Sequence, residues 1–172
     1  EIGKKVYMYR APAFSITNDN MWAFDIMIDH GITIDSSIFP ASRDYGGISN
    51  INLPAPKKII TPLGNSIKEF PMSVYSILGK NLVFTGGGYF RLWPYPIIKH
   101  FVAKEGYTMT YFHPRDFDYK QPKLEGLSLS REFKSYVGLK KALHKMDLLL
   151  NDFDFLSISE ADRLIDWSDF SE

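Results

Sequence analysis

Residues 5–35, KVYMYRAPAFSITNDNMWAFDIMIDHGITID, decide the fold class. Lys5 to Tyr9 mixes β-branched and aromatic residues and predicts a short strand. Pro12 cannot continue a hydrogen-bonded ladder, so the chain leaves the sheet there. Thr17 or Asn18 can cap a helix over about 20–30, with Trp22, Ile26 and Met27 on one face and Gly31 at its end. Ile32 to Asp35 predicts the next strand. Strand, loop, helix and strand in that order indicate an α/β fold with parallel strands.

Working outward, the stretch 35–65 carries Pro40, Gly46, Gly47, Pro54, Pro56, Pro62 and Gly64 without a period, and reads as a long irregular loop. Ser66 to Met72 and Lys80 to Thr85 read as strands that could pair with each other. Gly86-Gly87-Gly88 follows, then Tyr89-Phe90-Arg91-Leu92-Trp93-Pro94-Tyr95, and Pro96 can open a helix that runs to about Lys104. Tyr107 to Phe112 is the clearest buried strand and ends at His113-Pro114. A polar loop, 115–126, leads to the best helix, about 139–151, with Leu139, Leu143, Met146 and Leu150 at three- and four-residue steps. Phe153 to Ile158 reads as a last strand, and Ser159 as the cap of a short acidic helix. There is no internal repeat.

Lys plus Arg and Asp plus Glu both number 20, so the formal charge is zero. That balance argues against a nucleic-acid binder working through bulk charge and against a polybasic membrane anchor. The chain has no cysteine, which excludes disulfides, thiolate catalysis and Cys-based metal sites. No apolar run approaches the ~20 residues of a membrane span. The sequence opens at Glu1 and passes straight into strand-like residues with no signal peptide. This reads as a cut start that leaves cytoplasm and periplasm both open.

In α/β folds, chemistry collects where strands end in loops. Arg10, Asp35 and His113 each stand at such a place and could converge on one rim. A His backed by an Asp can donate a proton to a leaving group, and an Arg can orient a carboxylate. Each has a plainer reading. Asp35 could cap the Ser36-Ser37 turn through its carboxylate, Arg10 could form a structural salt bridge, and His113 could be satisfied in its loop. Gly87 and Gly88 could floor a substrate groove walled by Tyr89 and Trp93, or serve only a tight turn. They are no P-loop, since no Gly-Lys-Ser/Thr follows. Arg43-Asp44-Tyr45 and Arg115-Asp116 read as solvated loop pairs. His30, His100 and His144 read as structural, and Glu160, Asp162, Asp166 and Asp169 as a solvated acidic tail.

Arg10-Ala11-Pro12-Ala13-Phe14 resembles the Arg-x-Pro-aromatic motif of polysaccharide deacetylases of the NodB-homology, carbohydrate esterase 4 type. The blocks Trp22-Ala23-Phe24-Asp25, Asp35-Ser36-Ser37-Ile38-Phe39-Pro40, Gly86 to Leu92, and Phe112-His113-Pro114 follow in matching order. Together they resemble the subgroup with an extra C-terminal region that occurs with surface-polysaccharide assembly. The resemblance implies that residues 1–172 are the C-terminal portion of one catalytic domain, part of a distorted (β/α) barrel with fewer than eight complete units.

It further implies deacetylation of N-acetylated poly- or oligosaccharides with a divalent metal, commonly zinc. His113 matches the catalytic acid, Asp35 an aspartate that orients it, and Arg10 the arginine that pairs with an aspartate base. The metal in such enzymes is held by one aspartate and two histidines three residues apart. None of the four histidines here makes such a pair. The expectation is that this chain alone binds no catalytic metal, and that the missing N-terminal half or another chain supplies it. Two alternatives stand beside this. One is an inert carbohydrate-binding module using Tyr89, Phe90, Trp93 and Tyr95. The other is an assembly subunit that completes its barrel with another chain.

Overall fold

Four short strands make the first sheet, in the spatial order β1 (Met8–Tyr9), β2 (Ile34–Asp35), β4 (Ser66–Glu69), β3 (Lys57–Ile60). This is a computed structural model, and it describes residues 3–41, 46–48, 51, 53–77 and 80–168. β1 pairs parallel with β2, and β2 parallel with β4, as a strand–helix–strand chain requires. The crossover carries α1 (Ala23–Asp29), preceded by a 3-10 turn over Asn18–Asn20 in which the Thr17 amide donates to Asn20 Oδ1 at 2.7 Å. Phe24, Met27 and Ile28 of α1 pack inward, whereas Trp22 and Ile26 are exposed. The apolar face is therefore rotated from the one its spacing suggests.

β4 does not pair with the strand over 80–83. It lies between β2 and β3, antiparallel to the latter. β3 was hidden in the irregular stretch because Lys57-Lys58-Ile59-Ile60 shows neither alternation nor a turn pair before it. What closes the β3–β4 hairpin is the Thr61–Asn65 turn, where the buried Asp25 of α1 accepts from Thr61 Oγ1, from Asn65 Nδ2 (3.0 Å) and from the Leu63 amide (3.3 Å). A second, two-stranded sheet joins β5 (Val74–Ile77) antiparallel to β6 (Lys80–Val83).

The residues 107–112 are half-buried and form no regular strand. Tyr111 bridges Gly86 in parallel, but Met109 is bound by side chains. Its N–H donates to Ser73 Oγ at 2.7 Å and its carbonyl accepts from Thr85 Oγ1 at 2.8 Å. Those hydroxyls replace the ladder partner that a strand would need.

α2 (Gly87–Leu92), α3 (Tyr95–Lys104), α4 (Leu129–Tyr136), α5 (Leu139–Asp152) and α6 (Ile158–Leu164) complete the fold. α5 buries Leu139, Ala142, Lys145 and Leu149, while Leu143 and Leu150 are exposed. Residues 153–157 form no strand, and α6 is capped by Ser157, not Ser159, through a box with Glu160. Phe84, Phe90, Ile98, Phe101 and Leu149 form the helical core. Ala11, Ile16, Phe24, Ile38 and Ile67 form the core under the first sheet, and Phe14, Phe39, Met72 and Val83 join the two. The fold is mixed α/β, and the described residues close no barrel. No helix among them is long and apolar enough to cross a membrane.

Candidate functional site

β1 and β2 run parallel and in register, so Arg10 and Ser36 emerge side by side just past their ends. Arg10 donates from Nε to the Ser36 carbonyl at 3.0 Å and from Nη2 to Ser36 Oγ at 2.7 Å, and Ser36 Oγ donates on to the Phe70 carbonyl at 2.6 Å. Among the described residues Arg10 forms no ion pair. Burial lowers its pKa, opposed by the nearby Tyr107, Glu69 and Asp35. Asp35 closes the turn beyond β2. Its Oδ2 accepts from the Ser37 amide at 2.6 Å and its Oδ1 from Ser37 Oγ at 2.8 Å, the Asx turn that the plainer sequence reading allowed.

Across the β2–β4 ladder, Asp35 faces Glu69, and both are fully buried. Glu69 Oε1 accepts from the Ile38 amide at 2.9 Å, and Oε2 receives no hydrogen bond. Burial, and then the charge of Asp35, raise the Glu69 pKa well above 4.5. Burial raises the Asp35 pKa as well, so the two facing carboxyls together favour keeping a proton in the folded chain. Sequence reasoning missed Glu69. Its register opposite Asp35 is the only signal, and that register depends on placing β4 beside β2.

The Pro12–Phe14 turn holds two consecutive non-glycine residues in the left-handed region, Ala13 at φ 57° and Phe14 at φ 53°. Such backbone costs roughly 1 kcal/mol per residue and is kept where it aims a side chain. Here it aims Phe14 into the core, edge-on to Phe39 at 5.3 Å and to Tyr111 at 4.9 Å. The Arg10 guanidinium lies over the same ring at 5.5 Å. Phe14 thus separates Arg10 from the segment that carries His113.

His113 is exposed, and its Nε2 is in hydrogen-bond contact with the Tyr111 hydroxyl. It shares a cleft of about 210 Å³ with Gly86, Gly87, Gly88, Tyr89, Tyr111 and Asp116, among other residues. The glycines have separate reasons to lack a side chain. A Cβ at Gly86 would press on the Tyr111 ring at 3.2 Å, Gly87 has φ +40°, and a Cβ at Gly88 would meet the Lys134 carbonyl at 3.4 Å.

Under the cleft, Asp116 is buried, contrary to the solvated pair expected for Arg115-Asp116. Its Oδ2 accepts from the His113 amide at 2.9 Å, and its Oδ1 pairs with Arg91 Nε at 3.3 Å. Arg91 also donates to the carbonyls of Lys134, Ser135 and Val137, which end α4. Lys145 Nζ donates to the carbonyls of Phe90, Arg91 and Trp93, which end α2. Arg91 falls inside the Gly86 to Leu92 block but has no role in the sequence reading, and Lys145 is not singled out in its helical run.

The structure brings His113, Gly87, Gly88 and Tyr89 together, and separately Arg10 and Asp35. Asp35 makes no hydrogen bond to His113, since Ser37 and Glu69 occupy its carboxylate. Trp93 does not wall the cleft. It packs on the helical core and donates to the Val83 carbonyl at 3.2 Å. Phe90 is core, and Tyr95 bonds Asp152, so Tyr89 alone of those four aromatics lines the cleft. In the acidic tail Asp162 pairs with Lys68 at 2.6 Å, and Glu160 caps α6. Arg43, Asp44, Tyr45 and Asp169 lie outside the described residues.

No three His, Asp or Glu side chains among the described residues converge where a cation could sit. Asp35 and Glu69 are tied to each other, and Asp116 to Arg91. These donors do not fit the divalent metal that the resemblance implies, and no step is derived through one.

A model of the family described as a domain of unknown function, DUF3473, matches residues 36–163. No curated protein and no solved structure matches the chain. The matched span takes in Ser36, the three glycines, His113, Asp116 and α4; it begins just after Asp35 and leaves out Arg10. It covers well over half of the 172 residues, and the chain belongs to the DUF3473 family.

Proposed function

We propose that this chain forms the proton-donating part of a site that deacetylates N-acetylated sugars in a bacterial surface polysaccharide or its precursor. The reaction is hydrolysis of the carbon–nitrogen amide bond. The observation that carries this reading is the cleft that His113 lines together with the three-glycine turn. The order of the motif blocks adds to it, and so does the occurrence of DUF3473 domains in polysaccharide deacetylase-like proteins. The parallel set β1, β2 and β4 is read as one arc of a distorted (β/α) barrel.

In this reading the acetamido sugar sits on Gly86 to Gly88. His113, held at its backbone by Asp116 and at Nε2 by Tyr111, gives a proton to the sugar nitrogen as the amide bond breaks. Without that proton the leaving group would be an amide anion. Arg10 and the Asp35–Glu69 pair organise the neighbouring strand ends and touch no reacting atom. The divalent metal and the water-activating base are assigned to residues other than those described.

The test is acetate release from N-acetylglucosamine oligomers by the full gene product and by its His113→Ala variant. The variant is expected to lose about 10²- to 10⁴-fold in rate, with its unfolding midpoint unchanged. Residues 1–172 alone are expected to release none. Undiminished release by the variant would overturn the assignment.

A further inference from the structure

α4 is anchored but not packed. Ser128 Oγ caps its start and Arg91 holds the carbonyls at its end, yet Leu129 and Phe133, one turn apart on one face, are 86% and 57% exposed. Leu92 of α2 is exposed opposite them. Between the two helices lies a groove of about 390 Å³ lined by Tyr89, Leu92, Ser130, Phe133, Lys134 and Val137, with Gly88 at its base. Gly88 and Tyr89 also line the His113 cleft, so the two cavities adjoin across these two residues.

We infer that this groove is a second sugar subsite, through which the polysaccharide continues beyond the unit held at His113. This inference rests on the deacetylase reading for the direction of the chain, but not for the chemistry of the groove. A pyranose presents an apolar C–H face and a rim of hydroxyls. The groove is lined by the aromatic residues Tyr89 and Phe133 and by the polar residues Ser130 and Lys134. An acyl chain or an apolar helix would have no use for those two polar groups. Arg91 fixes α4 against α2, so the groove is formed before any ligand arrives, which lowers the cost of binding. The site also accounts for the exposure of Phe133, which lines the groove.

The experiment measures binding of the full gene product to N-acetylglucosamine and to its β-1,4- and β-1,6-linked oligomers of two to five units, by calorimetry. Oligomers are expected to bind about tenfold more tightly than the monosaccharide. Phe133→Ala is expected to remove that gain while leaving monosaccharide affinity unchanged. Phe133 is exposed, so the variant should fold. Affinity independent of length for both linkages would overturn the inference. So would a length effect that Phe133→Ala leaves intact, or displacement of nothing but dodecyl chains or peptides from the groove. Acetate release on the same samples separates the two readings. A Phe133-dependent length effect with no acetate released, and none lost in His113→Ala, keeps the subsite and removes the enzyme. Acetate release at equal rates from every length does the reverse.

Discussion

Asp35 and Glu69 stand opposite each other on neighbouring parallel strands, fully buried, and burial raises the pKa of each. The sign of the pH effect follows. Between 4.5, the ordinary Glu value, and its raised folded value, the unfolded chain has lost a proton that the folded chain keeps. Stability is complete below that window and falls as pH rises through it, by at most about 1.4 kcal/mol per pH unit for one proton. Glu69→Gln keeps an acceptor for the Ile38 amide and an N–H for Asp35, and has no proton to lose. Urea unfolding across about pH 4 to 8 should show a shallower fall for the variant in this window, the remainder belonging to the buried Asp35, and greater stability than the parent above it. Parallel profiles would show that Glu69 is not the group that holds the proton.

Lys145 is one of few lysines that such a fold can bury, because all three of its N–H donors meet carbonyls at the end of α2. Lys145→Met keeps the packing volume and leaves those carbonyls without a donor. The expected loss is about 2 kcal/mol, read from the urea midpoint. A loss below about 0.5 kcal/mol would mean that water reaches the helix end in place of the ammonium.

Arg91 and Asp116 make a buried pair that joins α2, the end of α4 and the His113 backbone. Asp116→Ala strands the guanidinium and frees the His113 amide, at an expected cost of about 3 kcal/mol. Asp116→Asn still accepts from His113 and should recover roughly half. Equal losses in the two variants would place the whole effect in the charge and none in the amide contact.

What was legible in the sequence was local. Residues 5–35 carried their own period, so the first parallel unit and its right placement of Arg10 and Asp35 could be read. Gly86 to Gly88 and His113 could be placed at loop positions, and the cleft joins them. What could not be read was pairing between distant segments. β4 could sit beside β2 or beside β6, and only tertiary packing chose β2. The choice decides whether Glu69 meets Asp35 at all. The same holds for α5, where spacing favoured Leu143 and Leu150. The helix instead buries Ala142, Lys145 and Leu149. Trp93 and Phe90 looked like sugar platforms by type alone, and the helical core used them first.

Tyr111 gives the sharpest test of how His113 is held. The imidazole is exposed, and its Nε2 is in hydrogen-bond contact with the Tyr111 hydroxyl. The Tyr111 ring itself is fixed against Phe14 and Gly86. Tyr111→Phe therefore keeps the ring and its packing, and removes only the group that sets the imidazole rotamer. Loss of one partly exposed hydrogen bond should cost no more than about 1 kcal/mol of stability. Under the deacetylase reading, a freely turning imidazole presents its other ring nitrogen, Nδ1, to the departing nitrogen for a smaller share of the time. The expected result is a kcat lower by about tenfold with KM little changed, since the sugar floor at Gly86 to Gly88 is untouched. A kcat at the parent level would show that the hydroxyl does not orient His113. A raised KM would instead move Tyr111 from positioning the acid to binding the sugar.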